Sequence, residues 1–219
     1  VIIDAEGAST GVGKTGLAVY LAKLCSKAFG YELVEDDLVL GGEAYLRRLQ
    51  EHPGTDQPSC VVWDEAVGAG SGDARRSMAE QNRVLGQAWQ TMRTKRVLQF
   101  VTLPTWNELD VRLRRLADYR VWCQAEPIGY FKPYSIGVPF EGDGLRTEGI
   151  GPDSTARRIA FPNLDAADDP LYGYLSERKG QLLDADSFDA DDVLDAVAAT
   201  DGGEKEEEID VDDIRDEEQ

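Results

Sequence analysis

The stretch Ala8–Gly16, ASTGVGKTG, satisfies two nucleotide-binding patterns at once. Gly11, Gly13 and Gly16 fit G-x-G-x-x-G, the dinucleotide fingerprint. Ala8, Gly13, Lys14 and Thr15 fit the phosphate-cradling loop G-x-x-x-x-G-K-[ST], with alanine in the first glycine position. The approach from upstream separates the two. Val1–Asp4 reads as the end of an apolar strand, and Ala5–Thr10 intervenes before the first glycine of the dinucleotide pattern. A tight Rossmann turn has no use for that insertion, whereas a chain that wraps a β-phosphate before entering a helix requires it. The triphosphate pattern also gives Lys14 and Thr15 roles that the other leaves idle: the ammonium reaches the β- and γ-phosphates and the hydroxyl binds Mg²⁺. Ala8, Ser9, Thr10, Gly11, Val12, Gly13, Lys14, Thr15 and Gly16 are therefore expected to cradle ATP.

A second element supports this choice. Val61-Val62-Trp63-Asp64-Glu65 is an apolar strand ending in adjacent carboxylates. Magnesium takes one or two carboxylates alongside phosphate oxygens and water, so Asp64 together with Thr15 is expected to hold Mg²⁺. Glu65 is then expected to polarise the attacking water. A kinase that delivers phosphate to a bound acceptor does not need that glutamate, so the pair favours an ATPase. The ParA/MinD type carries an extra lysine near the start of the loop, where this chain has Ser9 and Thr10.

Along the rest of the chain, strands and helices alternate. An amphipathic helix from Thr15 to about Ala28 carries Leu17, Leu21, Leu24 and Ala28 on one face and ends at Gly30. One or two short extended pieces occupy 31–40, a helix runs from about Glu43 to Glu51, and Ser59–Trp63 is a short buried strand. Ser77-x-x-Glu80 and Thr105-x-x-Glu108 read as capping boxes that open two further helices. Val97–Leu103 and Tyr119–Gln124 read as strands, and Leu171–Leu183 as a helix. The expected fold is α/β: a three-layer P-loop NTPase with a mainly parallel central sheet, an appended β-hairpin region and an acidic, largely disordered C-terminal tail. The corresponding divisions are an ATPase core at 1–126, a β-rich segment with a helix at 127–183, and the tail at 184–219.

Charge is distributed unevenly over the 219 residues. The formal net charge is −19, yet Asp184–Gln219 alone holds 17 acidic residues against Lys205 and Arg215. Within Arg75–Arg120 the sign reverses, with ten Lys or Arg facing four acids. Arginine and aspartate usage suits a halophilic source, although GC-rich coding accounts for the arginine equally well. Cys25, Cys60 and Cys123 are widely spaced, which suits buried thiols in a reducing compartment. The lone histidine, His52, sits beside Pro53-Gly54 in a turn and is read as structural. There is no run of 18 apolar residues, so no stable membrane insertion is expected and a cytoplasmic location follows. The chain begins at Val1 within a strand, so an upstream extension is expected.

CVVWDEA at Cys60–Ala66, NRVLGQAWQTMRTKR at Asn82–Arg96, VTLP at Val101–Pro104 and LDVRLRRLADY at Leu109–Tyr119 extend the pattern. Over Val1–Gln124 the chain resembles the zonula occludens toxin-like and HerA/FtsK-type P-loop ATPases of archaeal and bacterial viruses and mobile elements, within the ASCE division. That resemblance implies an ATP-driven motor that translocates or packages DNA, or serves virion assembly, often as a homo-oligomeric ring. In such a ring an arginine reaches the neighbouring γ-phosphate. Arg93 is the candidate carried forward, with Arg83, Arg112 and Arg115 as others. Thr102 is the candidate polar sensor, ahead of Thr105, which doubles as a cap, and Gln99. The Arg75–Arg120 band would contact DNA phosphates without reading bases. Two other functions stay open: a nucleotide-dependent switch or assembly scaffold without motor activity, and a small-molecule kinase whose lid would be Gly68–Arg76. The acidic tail could also occupy the basic band itself.

Overall fold

The computed structural model describes residues 1–5, 11–52, 57–65, 74–137 and 144–185, with backbone alone at 74–82, 93 and 182–185. Residues Val1–Lys179 form one compact unit, and Gly180–Gln219 a second. The first unit is α/β. Its strands are β1 (Ile2–Ala5), β2 (Leu38–Leu40), β3 (Ser59–Asp64), β4 (Val97–Thr102), β5 (Tyr119–Cys123), β6 (Tyr130–Gly137), β7 (Arg146–Gly149) and β8 (Ile159–Ala160). They form one sheet in the order β2-β3-β4-β1-β5-β6-β7, with β8 also paired to β6. The first five strands pair in parallel, and β6 runs antiparallel to β5, β7 and β8. The expected appended hairpin thus extends the same sheet.

The helices are α1 (Lys14–Phe29), α2 (Gly42–Glu51), α3 (Ala74–Thr94), α4 (Val111–Leu116) and α5 (Pro170–Ala185). Strand alternation sorts them into layers. Ile3, Ala5, Cys60, Val62 and Phe100 pack with Leu17, Ala18 and Leu175, the side of α1 and α5. Ile2, Val61, Trp63, Val101 and Leu103 pack with Tyr45, Leu49, Trp89, Met92 and Leu113, the side of α2, α3 and α4. Both faces of the sheet are therefore covered at β1, β3 and β4, which is why β3 and β4 read as continuous apolar runs. Trp63 stacks on Tyr45 at 4.3 Å between ring centroids. Tyr45 Oη also accepts from Trp89 Nε1 at 2.8 Å and donates to Gln99. Gln99 is committed to this second core rather than to a nucleotide.

Two helix starts differ from the sequence reading. Helix α3 begins at Ala74, so Ser77 lies inside it. Thr105 opens only a short 3-10 turn, Trp106–Glu108, and α4 starts at Val111 with the Asp110 carboxylate accepting from Arg112 N at 2.7 Å. Asp is as good an N-cap as Thr, and Leu109 is extended, so the chain resets before the second helix begins. The expected end of α1 holds: Gly30 is left-handed (φ 71°), and its N–H and that of Tyr31 return to Lys27 and Ser26 carbonyls. Gly68–Gly72 and the acidic segment from 186 onward lie outside the described residues. None of the described helices is long and apolar enough to cross a membrane.

His52 closes α2 and is buried, 2% exposed, with Nε2 3.0 Å from Ser59 Oγ. Burial, then the charge of Arg48, lowers its pKa in the fold. The unfolded chain therefore binds this proton more readily. The resulting stability is fully present above the ordinary value of about 6.5 and is lost as pH falls through that value toward the folded one. The urea midpoint is expected to fall between about pH 8 and about pH 5.5 by more in the wild type than in His52→Gln. Equal falls in the two proteins would remove His52 from the account.

Candidate functional site

The carboxyl ends of β1 and β3 meet the start of α1, and of the expected site residues Thr15, Asp64, Glu65 and Thr102 are joined there by hydrogen bonds. Gly11 and Gly13 both take left-handed backbone (φ 73° and 88°), which glycine alone adopts without strain. Gly13 is additionally confined, since a Cβ there would lie 3.1 Å from Phe161 Cζ. Val12 is buried and Gly16 packs beside Tyr172. Ala8, Ser9 and Thr10 lie outside the described residues. Helix α1 has no side-chain cap from Gly13 and no acid in its first turn, so the positive end of its dipole favours an anion there. Lys14 is its first residue. The Lys14 charge is felt at Cys123, whose thiol burial nevertheless pushes up to about 12.

Thr15 lies in the first turn of α1, and its hydroxyl donates to both oxygens of Asp64, at 3.0 and 2.9 Å. Asp64, the last residue of β3, is fully buried. Burying a carboxylate is costly unless donors surround it, and among the described residues three side chains do so. The second is Thr102 on β4, which donates to Asp64 Oδ1 at 2.7 Å. The third is Lys179 on α5, at 3.5 Å from Oδ2. Thr102 has one proton and gives it to Asp64, while its oxygen accepts the Glu65 N–H at 2.8 Å. That bond meets Glu65 where its backbone is left-handed (φ 52°), an uncommon conformation for a residue other than glycine and one that recurs at functional sites. Thr102, expected as a sensor of phosphate, is thus 1% exposed and holds Asp64 and Glu65 in place.

Lys179 was not singled out in the sequence, where it belongs to no motif and lies 115 residues from Asp64. Its ammonium pairs with Glu65 as well as Asp64. Burial opposes its charge, but the two carboxylates prevail and raise its pKa. Thr15 and Asp64 offer the hard oxygen donors that Mg²⁺ accepts, on two elements held in register, so the donor set fits the ion.

The basic band divides. Arg120 is turned inward against Asp4, Arg114 lies over Trp106 at 5.7 Å, and Lys95 donates to the Leu49 and His52 carbonyls at the end of α2. Arg83, Arg96, Arg112 and Arg115 are exposed. The Arg93 side chain, like those of Arg75 and Arg76, lies outside the described residues.

No protein-family model matches the chain, and no curated protein matches it either. Among solved structures, the chain is similar to the N-terminal domain of zonular occludens toxin from Neisseria meningitidis. The alignment covers 78% of this chain and 96% of that one, at 18% identity and a TM-score of 0.37. A likeness that slight transfers no property, and the α/β architecture with its mostly parallel sheet stands on the strand pairing above.

Proposed function

We propose that the chain is a Mg²⁺-dependent P-loop ATPase that hydrolyses ATP, acting as an oligomer on DNA, in translocation or packaging, or in virion assembly. The observation that carries the reading is the Thr15 hydroxyl seated on the Asp64 carboxylate, at the carboxyl ends of parallel strands where such sheets receive ligands. The strand order supports it, because β4 stands between the Thr15 strand–helix unit and the Asp64 strand and supplies Thr102 to the gap.

In this reading Lys14 and the leading N–H groups of α1 hold the phosphates. Thr15 and Asp64 hold Mg²⁺, which would neutralise charge on the phosphate oxygens. Glu65 accepts the proton of the attacking water at its carboxylate, and Thr102 keeps that residue's backbone in place. An arginine from a neighbouring subunit, with Arg93, Arg83, Arg112 and Arg115 as candidates, completes the charge.

The test is steady-state ATP hydrolysis with and without double-stranded DNA over a salt series. Turnover is expected to require Mg²⁺ and to rise with DNA at low salt. If Arg112 and Arg115 each contact one phosphate, the Arg112→Ala/Arg115→Ala protein should show a log–log salt slope for DNA binding smaller by about 2. Hydrolysis that ignores DNA at every salt concentration would sink the DNA motor while leaving the ATPase. Binding of ATP without hydrolysis under any condition would sink both.

A further inference from the structure

The geometry points to Lys179 as an internal cation that competes with the incoming divalent ion for the Asp64–Glu65 carboxylates. The inference rests on the proposed assignment of Thr15, Asp64 and Glu65 to a nucleotide–metal site, and it adds a residue from outside the loop and strand motifs. Helix α5 is anchored at its start. The Asp169 carboxylate accepts from Leu171 N and Tyr172 N at 3.2 Å each and pairs with Lys23 of α1. Tyr172, Leu175 and Lys179 then follow at i, i+3 and i+7, along one stripe of the helix. Tyr172 packs beside Gly16, Leu175 is fully buried in the core on the α1 side, and Lys179 reaches the tip of β3. The contact thus follows from how α5 is seated.

Thr15 and Thr102 approach Asp64 from within the fold, and Lys179 approaches its Oδ2 while also pairing with Glu65. A divalent ion held between Thr15 and Asp64 would come within a few ångströms of that ammonium, and the two like charges repel. Linkage is reciprocal: whatever Lys179 does to metal affinity, the metal does to the Lys179 contact. The lysine suits such a reversible role. Its compact charge rides on a flexible stem, and its side chain is 29% exposed, which leaves it a route to solvent.

The experiment is calorimetric titration of ADP into the purified chain, first with EDTA and then with excess Mg²⁺, for wild type, Lys179→Met and Lys179→Arg. The quantity read is the factor by which Mg²⁺ strengthens ADP binding. That factor is expected to grow roughly tenfold in Lys179→Met, within the usual range for coupling between sites, and to stay near wild type in Lys179→Arg. A factor that is unchanged or smaller in Lys179→Met overturns the inference and leaves the site assignment intact. Wild type that binds no ADP even with Mg²⁺ overturns the assignment and the inference together. Circular dichroism and urea midpoints establish that each variant is folded, and Lys179→Arg separates loss of charge from loss of helix packing.

Discussion

In Glu65→Gln protein, ATP turnover is expected to fall by roughly 10²–10⁴ while ATP remains bound, the usual loss when a general base is removed. The exchange keeps size and shape and removes the proposed proton acceptor. It should leave the fold alone, because the Glu65 side chain is about half exposed (53%), and because the bond that holds its backbone runs from its own N–H to Thr102. Exposed substitutions of this kind usually change stability by less than about 0.5 kcal/mol. Asp64→Asn differs, since Asp64 is fully buried and carries the hydroxyls of both Thr15 and Thr102. That variant is expected to lose metal-dependent binding as well as turnover. Measuring ATP affinity beside kcat separates the two residues. A Glu65→Gln protein that turns over within threefold of wild type would remove Glu65 from the proton-accepting role.

The candidate site was legible in part because its motifs are local. Lys14 and Thr15 are contiguous, and a strand that ends in Asp-Glu announces its own polarity, so the meeting of Thr15 with Asp64 at the carboxyl ends of the strands follows from parallel crossovers. The parallel strands were legible for a related reason: a strand covered on both faces reads as an apolar run, as Val61–Trp63 and Phe100–Val101 do. What the sequence left open depends on contacts between distant residues. The sensor expectation for Thr102 used only its position at a strand end, where its bonds to Asp64 and Glu65 are not visible. Which way its hydroxyl faces is set by β4 lying beside β3, with Val62 opposite Phe100. Lys179 had no local signal, since the seating of α5 depends on Lys23 meeting Asp169 across 146 residues. The arginine band misled in part for the same reason. Arg120 and Arg114 looked like surface charge, and each has an inward partner that composition cannot reveal.

That inward partner makes Arg120→Met the substitution with the largest expected cost to stability. Asp4 is 1% exposed near the end of β1 and is held bidentately by Arg120 of β5, at 2.9 Å through Nε and 2.6 Å through the terminal nitrogen. Trp106 N donates to the same carboxylate at 3.2 Å, and the Arg120 guanidinium lies 5.0 Å from the Trp106 ring centre. Methionine keeps much of the packing of the arginine stem but leaves a buried carboxylate with one backbone donor among the described residues. Breaking a buried pair from one side costs about 3–5 kcal/mol, because the stranded charge has lost its water without keeping its partner. The pair itself contributes far less than that, since forming it also required desolvating both groups. The double variant Asp4→Asn/Arg120→Met should therefore recover much of the loss, and urea unfolding of the four proteins measures the coupling. A single Arg120→Met cost below about 1 kcal/mol would place this pair with exposed ion pairs. Asp4 is the second-last residue of β1, and the Trp106 segment follows β4, so the Asp4 carboxylate ties the strand that enters the loop both to β5, through Arg120, and to the segment after the strand that supplies Thr102, through Trp106 N. Lost turnover that returns in the double variant together with stability would show that the pair acts on the site through the fold.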